Sequence, residues 1–226
     1  MKRRAVPVLA GVGVVFLTFV VTPHVLRRLA FFEVRQVELV GVRYLSPHAL
    51  VRALELRSDQ NVFDDRNVLV ERALGVRGII GARIERRLPG TLRVIVTEQV
   101  AMAMAPGPQG FVALDARGQP LPYDPAVTGL DLPIVARPDT LLVEVLGVIR
   151  IANLDLFHEV DWVDFTGAGD IGVYIGERRW LFAPAPSVRD IDAVLAVRQE
   201  LERSGAAYDE LDARYRGWIV ARRGGP

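Results

Sequence analysis

The chain has 226 residues, of which half are apolar and about a quarter are charged, and it contains no cysteine. Its net charge at neutral pH is +1 and its mean hydropathy is +0.23. This composition excludes a disordered chain and a polytopic transporter, and the lack of cysteine excludes a disulfide framework, a thiol nucleophile and a zinc–thiolate site.

The first 28 residues differ from the rest of the chain in charge. They hold five basic residues and no acidic one, which leaves 23 basic against 27 acidic side chains in the remainder. A body that binds nucleic acid is expected to be basic. We therefore predict no nucleic-acid partner.

An uncharged run of 22 residues extends from Ala5 to Leu26. As a helix it is about 33 Å long, enough to cross the hydrocarbon layer of a membrane. A cleaved signal peptide is the alternative, but the apolar core is longer than usual and no A-x-A cleavage pattern follows it. We predict an uncleaved transmembrane helix over 5–26 that contacts membrane lipid. By the positive-inside rule, residues 1–4 form a cytoplasmic tail and the body lies outside the cytoplasm.

Residues 31–99 show a compact pattern of strand, helix, helix, strand and strand. Ser46-Pro47 has the residue types that begin a helix, and Pro89-Gly90 is a strong turn signal, for which we expect a positive φ at Gly90. The predicted elements are a strand over 32–39, a helix from Ser46, a helix from Asp64-Asp65 to Gly75 with Val68, Leu69 and Leu74 inward, and strands over 80–88 and 92–98.

Residues 100–222 are predicted to form a mainly antiparallel β domain with packed helices, followed by a tail over 223–226. Pro133 indicates an edge strand at 131–135, because proline cannot donate to a ladder of hydrogen bonds. The Ser187-to-Asp190 spacing is typical of a capping box, and Gly205 is expected to end that helix. We predict helices over 139–153 and 187–204 and strands over 111–114, 131–135, 162–165, 171–175, 180–182, 210–215 and 218–220.

The chemistry-bearing residues are scattered. His24, His48 and His158 lack ligand spacing, and no serine lies in a nucleophile motif. The segment from Gly167 to Asp170 fits a turn between strands better than a phosphate or calcium loop. A sugar-stacking platform is one reading of Trp162, Trp180 and Trp218, but core or edge positions are favoured for them. We therefore predict no catalytic, cofactor-binding or metal site and no cofactor.

Three groups of residues carry a resemblance to a known family. The first is Phe32-x-Val34-x-x-Val37-x-x-Val40-Gly41 followed by Ser46-Pro47. The second is Arg86-Arg87-Leu88-Pro89-Gly90-Thr91-Leu92 with Glu98, and the third is Leu211-Asp212-Ala213-Arg214-Tyr215. With the membrane segment before them, they make the chain resemble the FtsQ/DivIB family of bacterial cell-division proteins. In that family a POTRA (polypeptide-transport-associated) domain, here 31–99, precedes a β domain, here 100–222.

The resemblance implies a non-enzymatic scaffold of the α+β class. Such a protein sits in the cytoplasmic (inner) membrane as a single-pass protein concentrated at the division septum. It recruits FtsB-like and FtsL-like partners and helps to control septal peptidoglycan synthesis. A POTRA-bearing helper of protein translocation or outer-membrane assembly is one alternative, but the chain leaves no room for a membrane barrel. An anchored cell-wall hydrolase is the other.

The end of the chain is the expected partner-binding surface. A strand at the chain end commonly lies at a sheet edge, where it can accept a partner strand. Tyr215 and Trp218 are of the types enriched in binding hot spots, and the arginines offer charge for an acidic segment. In the family the last strands receive an FtsB-like segment. The predicted site comprises Arg214, Tyr215, Arg216, Gly217, Trp218, Ile219 and Val220. The alternative is that Trp218 is buried core and the arginines only protect the edge.

Overall fold

A computed structural model describes residues 30–167 and 169–223. The predicted cytoplasmic tail (1–4), the predicted transmembrane helix (5–26) and residues 224–226 of the predicted tail lie outside the described residues. No helix in the described part of the chain combines the length and the apolar character needed to cross a membrane. The chain divides after Glu98 into two compact units.

The first unit follows the predicted order of strand, helix, helix, strand and strand. A 3-10 turn at Ala30–Phe32 precedes β1 (Gln36–Val40), α1 (Pro47–Ala53), α2 (Asn67–Leu74), β2 (Ile79–Arg87) and β3 (Thr91–Glu98). The sheet order is β1-β3-β2, in which β1 runs parallel and β2 antiparallel to the central β3. Ser46 caps α1 through its side chain, and Pro47 takes the first turn, as the sequence predicts. The buried side chains include Leu50, Leu69, Leu92 and Val94.

Three local expectations in this unit are wrong. The first strand begins at Gln36, because residues 30–32 form the 3-10 turn and Glu33 makes only an isolated bridge. The second helix begins at Asn67, whose N–H donates to the Asp65 carboxylate. Val68 and Leu74 are 45 % and 44 % exposed. Leu69 and Ala73, one helical turn apart, form the buried face of α2 instead.

Gly90 forms the predicted turn between β2 and β3, but not for the expected reason. Its φ is not positive; the positive-φ glycines of the described residues lie elsewhere. A Cβ at this position would lie 2.5 Å from the carbonyl oxygen of Glu33. The Gly90 carbonyl accepts the N–H groups of Arg35 (2.8 Å) and Gln36 (3.2 Å). Glycine is therefore required by the close approach of two backbone segments.

The second unit contains a mixed sheet with the order β11-β10-β9-β8-β7-β6-β4-β5 among the described residues. Four of its strand pairings are antiparallel and three (β4–β6, β6–β7 and β9–β10) are parallel. The strands are β4 (Ala103–Gly107), β5 (Gly110–Leu114), β6 (Ile134–Val135), β7 (Trp162–Phe165), β8 (Ile171–Ile175), β9 (Arg178–Phe182), β10 (Glu210–Asp212) and β11 (Val220–Arg222).

Two longer helices pack with this sheet around one hydrophobic core. The helices of the unit are α3 (Pro125–Thr128), α4 (Thr140–Ala152), α5 (Leu154–Glu159) and α6 (Val188–Ser204). The predicted capping box opens α6, where the Asp190 carboxylate accepts the N–H of Ser187 at 2.7 Å. Gly205 ends that helix at φ 68°, as expected.

The edge strand predicted at 131–135 is wrong. Only Ile134 and Val135 form a strand, and β6 lies inside the sheet between β4 and β7. Pro133 directly precedes this strand, so its missing N–H does not interrupt the ladder, and its carbonyl accepts the N–H of Met104 at 2.9 Å. The sequence interpretation also omitted β4, α3 and α5. β10 begins at Glu210 as predicted but ends at Asp212, and β11 has the predicted length of three residues but lies two residues closer to the C-terminus.

Candidate partner-binding surface

The C-terminal hairpin forms one edge of the eight-stranded sheet. β10 lies between β9 and β11, and β11 pairs with no other strand of the described residues. All three residues of β11 are exposed. The structure thus places an edge strand at the end of the chain, as the sequence predicts.

The turn that joins β10 to β11 carries two large exposed aromatic side chains. Tyr215 is 53 % and Trp218 is 76 % exposed. The N–H of Trp218 donates to the Tyr215 carbonyl at 3.0 Å, and Gly217 between them adopts φ 78°. This turn takes residues 215–218 out of the extended conformation, which is why the predicted strands over 210–215 and 218–220 are wrong. Trp218 is not part of the core.

An apolar groove of about 330 Å³ lies between this turn and α6. On the helix side its wall is made of Asp190 in the first turn of α6 and of the smaller apolar residues Ala193, Ala196 and Val197, which recur at the spacing of one helix face. Small side chains leave a depression beside the large rings of the turn. The lining from the turn comprises Ala213, Tyr215, Gly217, Trp218 and Ile219.

Asp212 in β10 is completely buried and is held by two arginines. Its carboxylate accepts hydrogen bonds from Nε (2.8 Å) and Nη2 (2.7 Å) of Arg214, and Nη2 of Arg222 lies at 3.0 Å. Arg214 also binds Asp170 at 2.8 Å. The hydrogen bonds from Arg214 lower the pKa of Asp212 below its usual value. The carboxylate therefore remains ionised and paired at neutral pH.

Glu210, two residues before Asp212 on the same face of β10, is the second buried acid of the hairpin. It accepts hydrogen bonds from Nη1 of Arg222 (2.6 Å) and from Nε of Arg179 (2.8 Å). Arg222 therefore bridges both acids of β10 from the edge strand. These ion pairs fix the register in which Glu210 lies opposite Arg222 and Asp212 lies opposite Val220.

The predicted site residues come together but differ in their surroundings. Tyr215, Gly217, Trp218 and Ile219 line the groove, and Val220 begins the edge strand. Arg216 is exposed in the turn. Arg214 is 26 % exposed and engaged with Asp212 and Asp170, so its contacts are internal to the hairpin.

The helix side of the groove was missed by the sequence interpretation. The available signal was a set of small residues at 193, 196 and 197 on an otherwise charged helix. Such a pattern becomes informative only when the segment that packs beside it is known.

The other sequence candidates occupy separate places. Trp180 is 1 % exposed in the core, Trp162 lies on β7, and Trp218 lies in the C-terminal turn, so the three do not form one platform. The segment after β7 is a turn between antiparallel strands, in which the Thr166 N–H donates to the Asp170 carbonyl at 2.7 Å. Across the described ranges no group of histidine and acidic residues has the arrangement of a metal site.

Comparisons with known proteins show similarity to proteins of bacterial cell division. Residues 32–99 match the family model described as "POTRA domain, FtsQ-type". Over 132 residues the chain is 26 % identical to a protein of Mycobacteroides abscessus named "Cell division protein FtsQ". That alignment covers 57 % of this chain and 43 % of the relative, so the match spans less than half of the relative's length.

Proposed function

We propose that this chain, a protein of the FtsQ/DivIB family, acts as a single-pass membrane scaffold of the bacterial division machinery. The FtsQ-type POTRA domain and the cell-division relative support a role in cell division. In the proposed arrangement, residues 5–26 span the cytoplasmic membrane with the N-terminus inside, and the body works outside the cytoplasm at the septum. The scaffold itself carries out no catalysis.

The single observation that carries the proposal is the exposed edge strand β11 beside an aromatic-lined groove. An edge strand offers unpaired backbone N–H and C=O groups, which give affinity for an added strand. Neighbouring pockets select its side chains. We infer that an FtsB-like segment adds to β11 and places an apolar side chain in the groove between the turn and α6.

The exposed aromatics suit this role energetically. A tryptophan that is 76 % exposed in the free protein gains contact area on binding. Tyrosine and tryptophan dominate measured hot spots because they bury large surfaces at a small cost in conformational entropy. The partner's septal complex, with FtsL-like proteins, would then be brought to the site of peptidoglycan synthesis.

The proposal is tested by binding of an FtsB-like partner to the full chain in lipid nanodiscs. Trp218→Ala and Tyr215→Ala should each weaken binding by about 2 kcal/mol, or about 30-fold in Kd. The matched control is Phe111→Ala, because Phe111 is 48 % exposed on β5, at the opposite edge of the same sheet. The affinity of the Phe111→Ala variant for the FtsB-like partner should equal that of the unmodified chain. Equal effects of all three substitutions, or none, would rule out the β11 surface.

A further inference from the structure

The first unit exposes two large apolar side chains at one end. Phe31 is 63 % and Leu88 is 61 % exposed. Arg35 connects the segments that carry these two side chains. Its Nη2 donates to the Phe31 carbonyl (2.7 Å), and its backbone N–H donates to the carbonyl of Gly90 (2.8 Å), two residues after Leu88. The 3-10 turn and the β2–β3 turn therefore lie side by side.

Arginine dominates the charge of this end. Among the described residues, segments 30–36 and 86–90 contain three arginines (Arg35, Arg86 and Arg87) and one acidic residue, Glu33. The Nε atom of Arg87 lies 3.8 Å from the carboxylate of Glu38 on β1. The Arg35 guanidinium lies 5.9 Å from the centre of the Phe31 ring, so a cation is held beside an exposed aromatic ring. Arg87 at the end of β2 has a side chain that is 53 % exposed. A polar cation next to an apolar ring is the composition favoured at the boundary between lipid headgroups and acyl chains.

Chain length limits how far this end can be from a bilayer. Five peptide units join Leu26, the end of the predicted span, to Phe31. A fully extended chain of that length reaches about 18 Å. The headgroup region on one side of a bilayer is about 5–8 Å thick. The exposed turn is thus tethered within about three headgroup thicknesses of the hydrocarbon boundary.

We propose that this end of the first unit, formed by Phe31, Arg35, Arg87 and Leu88, docks on the headgroup layer of an anionic bilayer. Phe31 and Leu88 enter the interface, and the arginines meet lipid phosphates. The inference rests on the membrane anchor of the proposed function. It adds a lipid-binding face that sets the orientation of the first unit on the membrane.

Docking gives these side chains a better environment than water. The 3-10 turn leaves an aromatic ring exposed, and burying its surface in the interface is favourable in proportion to the apolar area removed from water. Each arginine near an anionic leaflet adds attraction that decays within a Debye length, about 8 Å at physiological salt. The short segment between Leu26 and Phe31 therefore keeps the apolar side chains and the arginines close enough to interact with the headgroup layer.

The absence of cysteine allows a direct test. The full chain is reconstituted in vesicles of phosphatidylcholine with phosphatidylglycerol, with one cysteine introduced for an environment-sensitive dye. Leu88→Cys reports on the proposed face. Ile80→Cys is the matched control, because Ile80 is also 61 % exposed but lies near the other end of β2, about 26 Å along the strand. Shallow nitroxide lipids should quench the dye at position 88 and leave it bright at position 80.

A charge variant tests the arginine contribution. Arg87→Gln should lower the ratio of docked to undocked protein by about fivefold, and vesicles without phosphatidylglycerol should lower it further. Arg83→Gln is the control, since Arg83 lies on the same strand and, like Arg87, faces one glutamate. It should leave quenching unchanged. Circular dichroism verifies that each variant is folded.

Two failures are distinguishable. Release of the protein from vesicles by alkaline carbonate would show that the membrane anchor, and with it both proposals, is wrong. Retention after carbonate with equal quenching at positions 80 and 88, or with none at either, would overturn the docking face and leave the anchor in place.

Discussion

At the scale of single residues, Gly90 shows how one backbone approach fixes a residue type. A methyl group there would lie 2.5 Å from the Glu33 carbonyl oxygen, so the turn or the entry to β1 must shift. We expect Gly90→Ala to destabilise the first unit by about 1–3 kcal/mol, the usual cost of overpacking. Chemical denaturation of the full chain measures the loss of unfolding free energy. Hydrogen exchange of the amides in 79–98 shows whether the loss lies in the first unit.

Gly147 supplies the control for that substitution. It lies within α4, its φ is not positive, and nothing stands within 4 Å of an added Cβ. Gly147→Ala should be neutral or stabilise the second unit by about 0.4–1 kcal/mol. Should Gly90→Ala prove as harmless as Gly147→Ala, the close-approach explanation of the turn is wrong.

Glu98 has a structural task that its place at the end of a strand does not reveal. Its carboxylate accepts three successive backbone N–H groups, from Arg43 (3.1 Å), Tyr44 (2.9 Å) and Leu45 (2.9 Å). Glu98→Gln turns one acceptor oxygen into a donor that faces these N–H groups. We expect a loss of about 1–3 kcal/mol of unfolding free energy in the first unit.

The measurement for Glu98 is the denaturant midpoint of the full chain, with Glu85→Gln as the matched change. Glu85 pairs with the largely exposed Arg83 on the outer part of the same sheet. Its loss should cost no more than about 0.5 kcal/mol. Equal midpoints for the two variants would argue against the backbone clamp at Glu98.

At the scale of elements, local signals predicted much of the secondary structure. Ser46-Pro47 and the Ser187-to-Asp190 capping box use side chains within one helical turn. The helix starts that they specify can therefore be predicted from the local sequence. β6 was misplaced because two residues gain a central position only through parallel partners distant in the chain. The groove was incompletely predicted for the same reason: Ala193 and Ala196 meet the Tyr215–Trp218 turn only through tertiary packing.

The edge strand itself is held by Arg222, which joins both buried acids of β10. We expect Arg222→Gln to fray β11, because Glu210 and Asp212 each lose a cationic partner in a site shielded from water. The effect should be about 1–2 kcal/mol, since the Arg222 side chain is 46 % exposed and Arg179 and Arg214 remain. Faster hydrogen exchange at 220–222 and weaker binding of the FtsB-like partner are the readouts.

Arg203→Gln is the comparison for that variant. Arg203 pairs with Glu200 on the exposed face of α6, with side chains 78 % and 61 % exposed. Its replacement should change stability by less than about 0.5 kcal/mol. If exchange at 220–222 is the same in both variants, the ion pairs do not set the edge strand.

At the scale of the whole molecule, the two units contribute different surfaces. The first unit carries the exposed Phe31 and Leu88 near its N-terminal end, and the second carries the edge strand β11 at its C-terminal end. The two compact units divide after Glu98. The domain bounds expected from the sequence, 31–99 and 100–222, stay a prediction. The proposed lipid-facing surface is not evident from the sequence, because Phe31 and Leu88 are far apart in the chain and Arg35 hydrogen-bonds both the Phe31 carbonyl and the β2–β3 turn beside Leu88.

Topology decides whether either surface can work as proposed. The 22-residue uncharged run from Ala5 to Leu26 and the basic residues Lys2, Arg3 and Arg4 before it predict a helix with its N-terminus in the cytoplasm. A reporter fused after Pro226 that is active only outside the cytoplasm should be active, and a cytoplasm-only reporter at the same place should be silent. Two acidic residues in place of Val14 and Val15 are the control, because charges at the helix centre oppose insertion by about 2.5–3.5 kcal/mol each. This variant should lose external activity.

Two results would contradict this topology. A mature chain that begins near residue 30 would show that the uncharged run is a cleaved signal. Reversed reporter activity would show that the body faces the cytoplasm, away from septal partners.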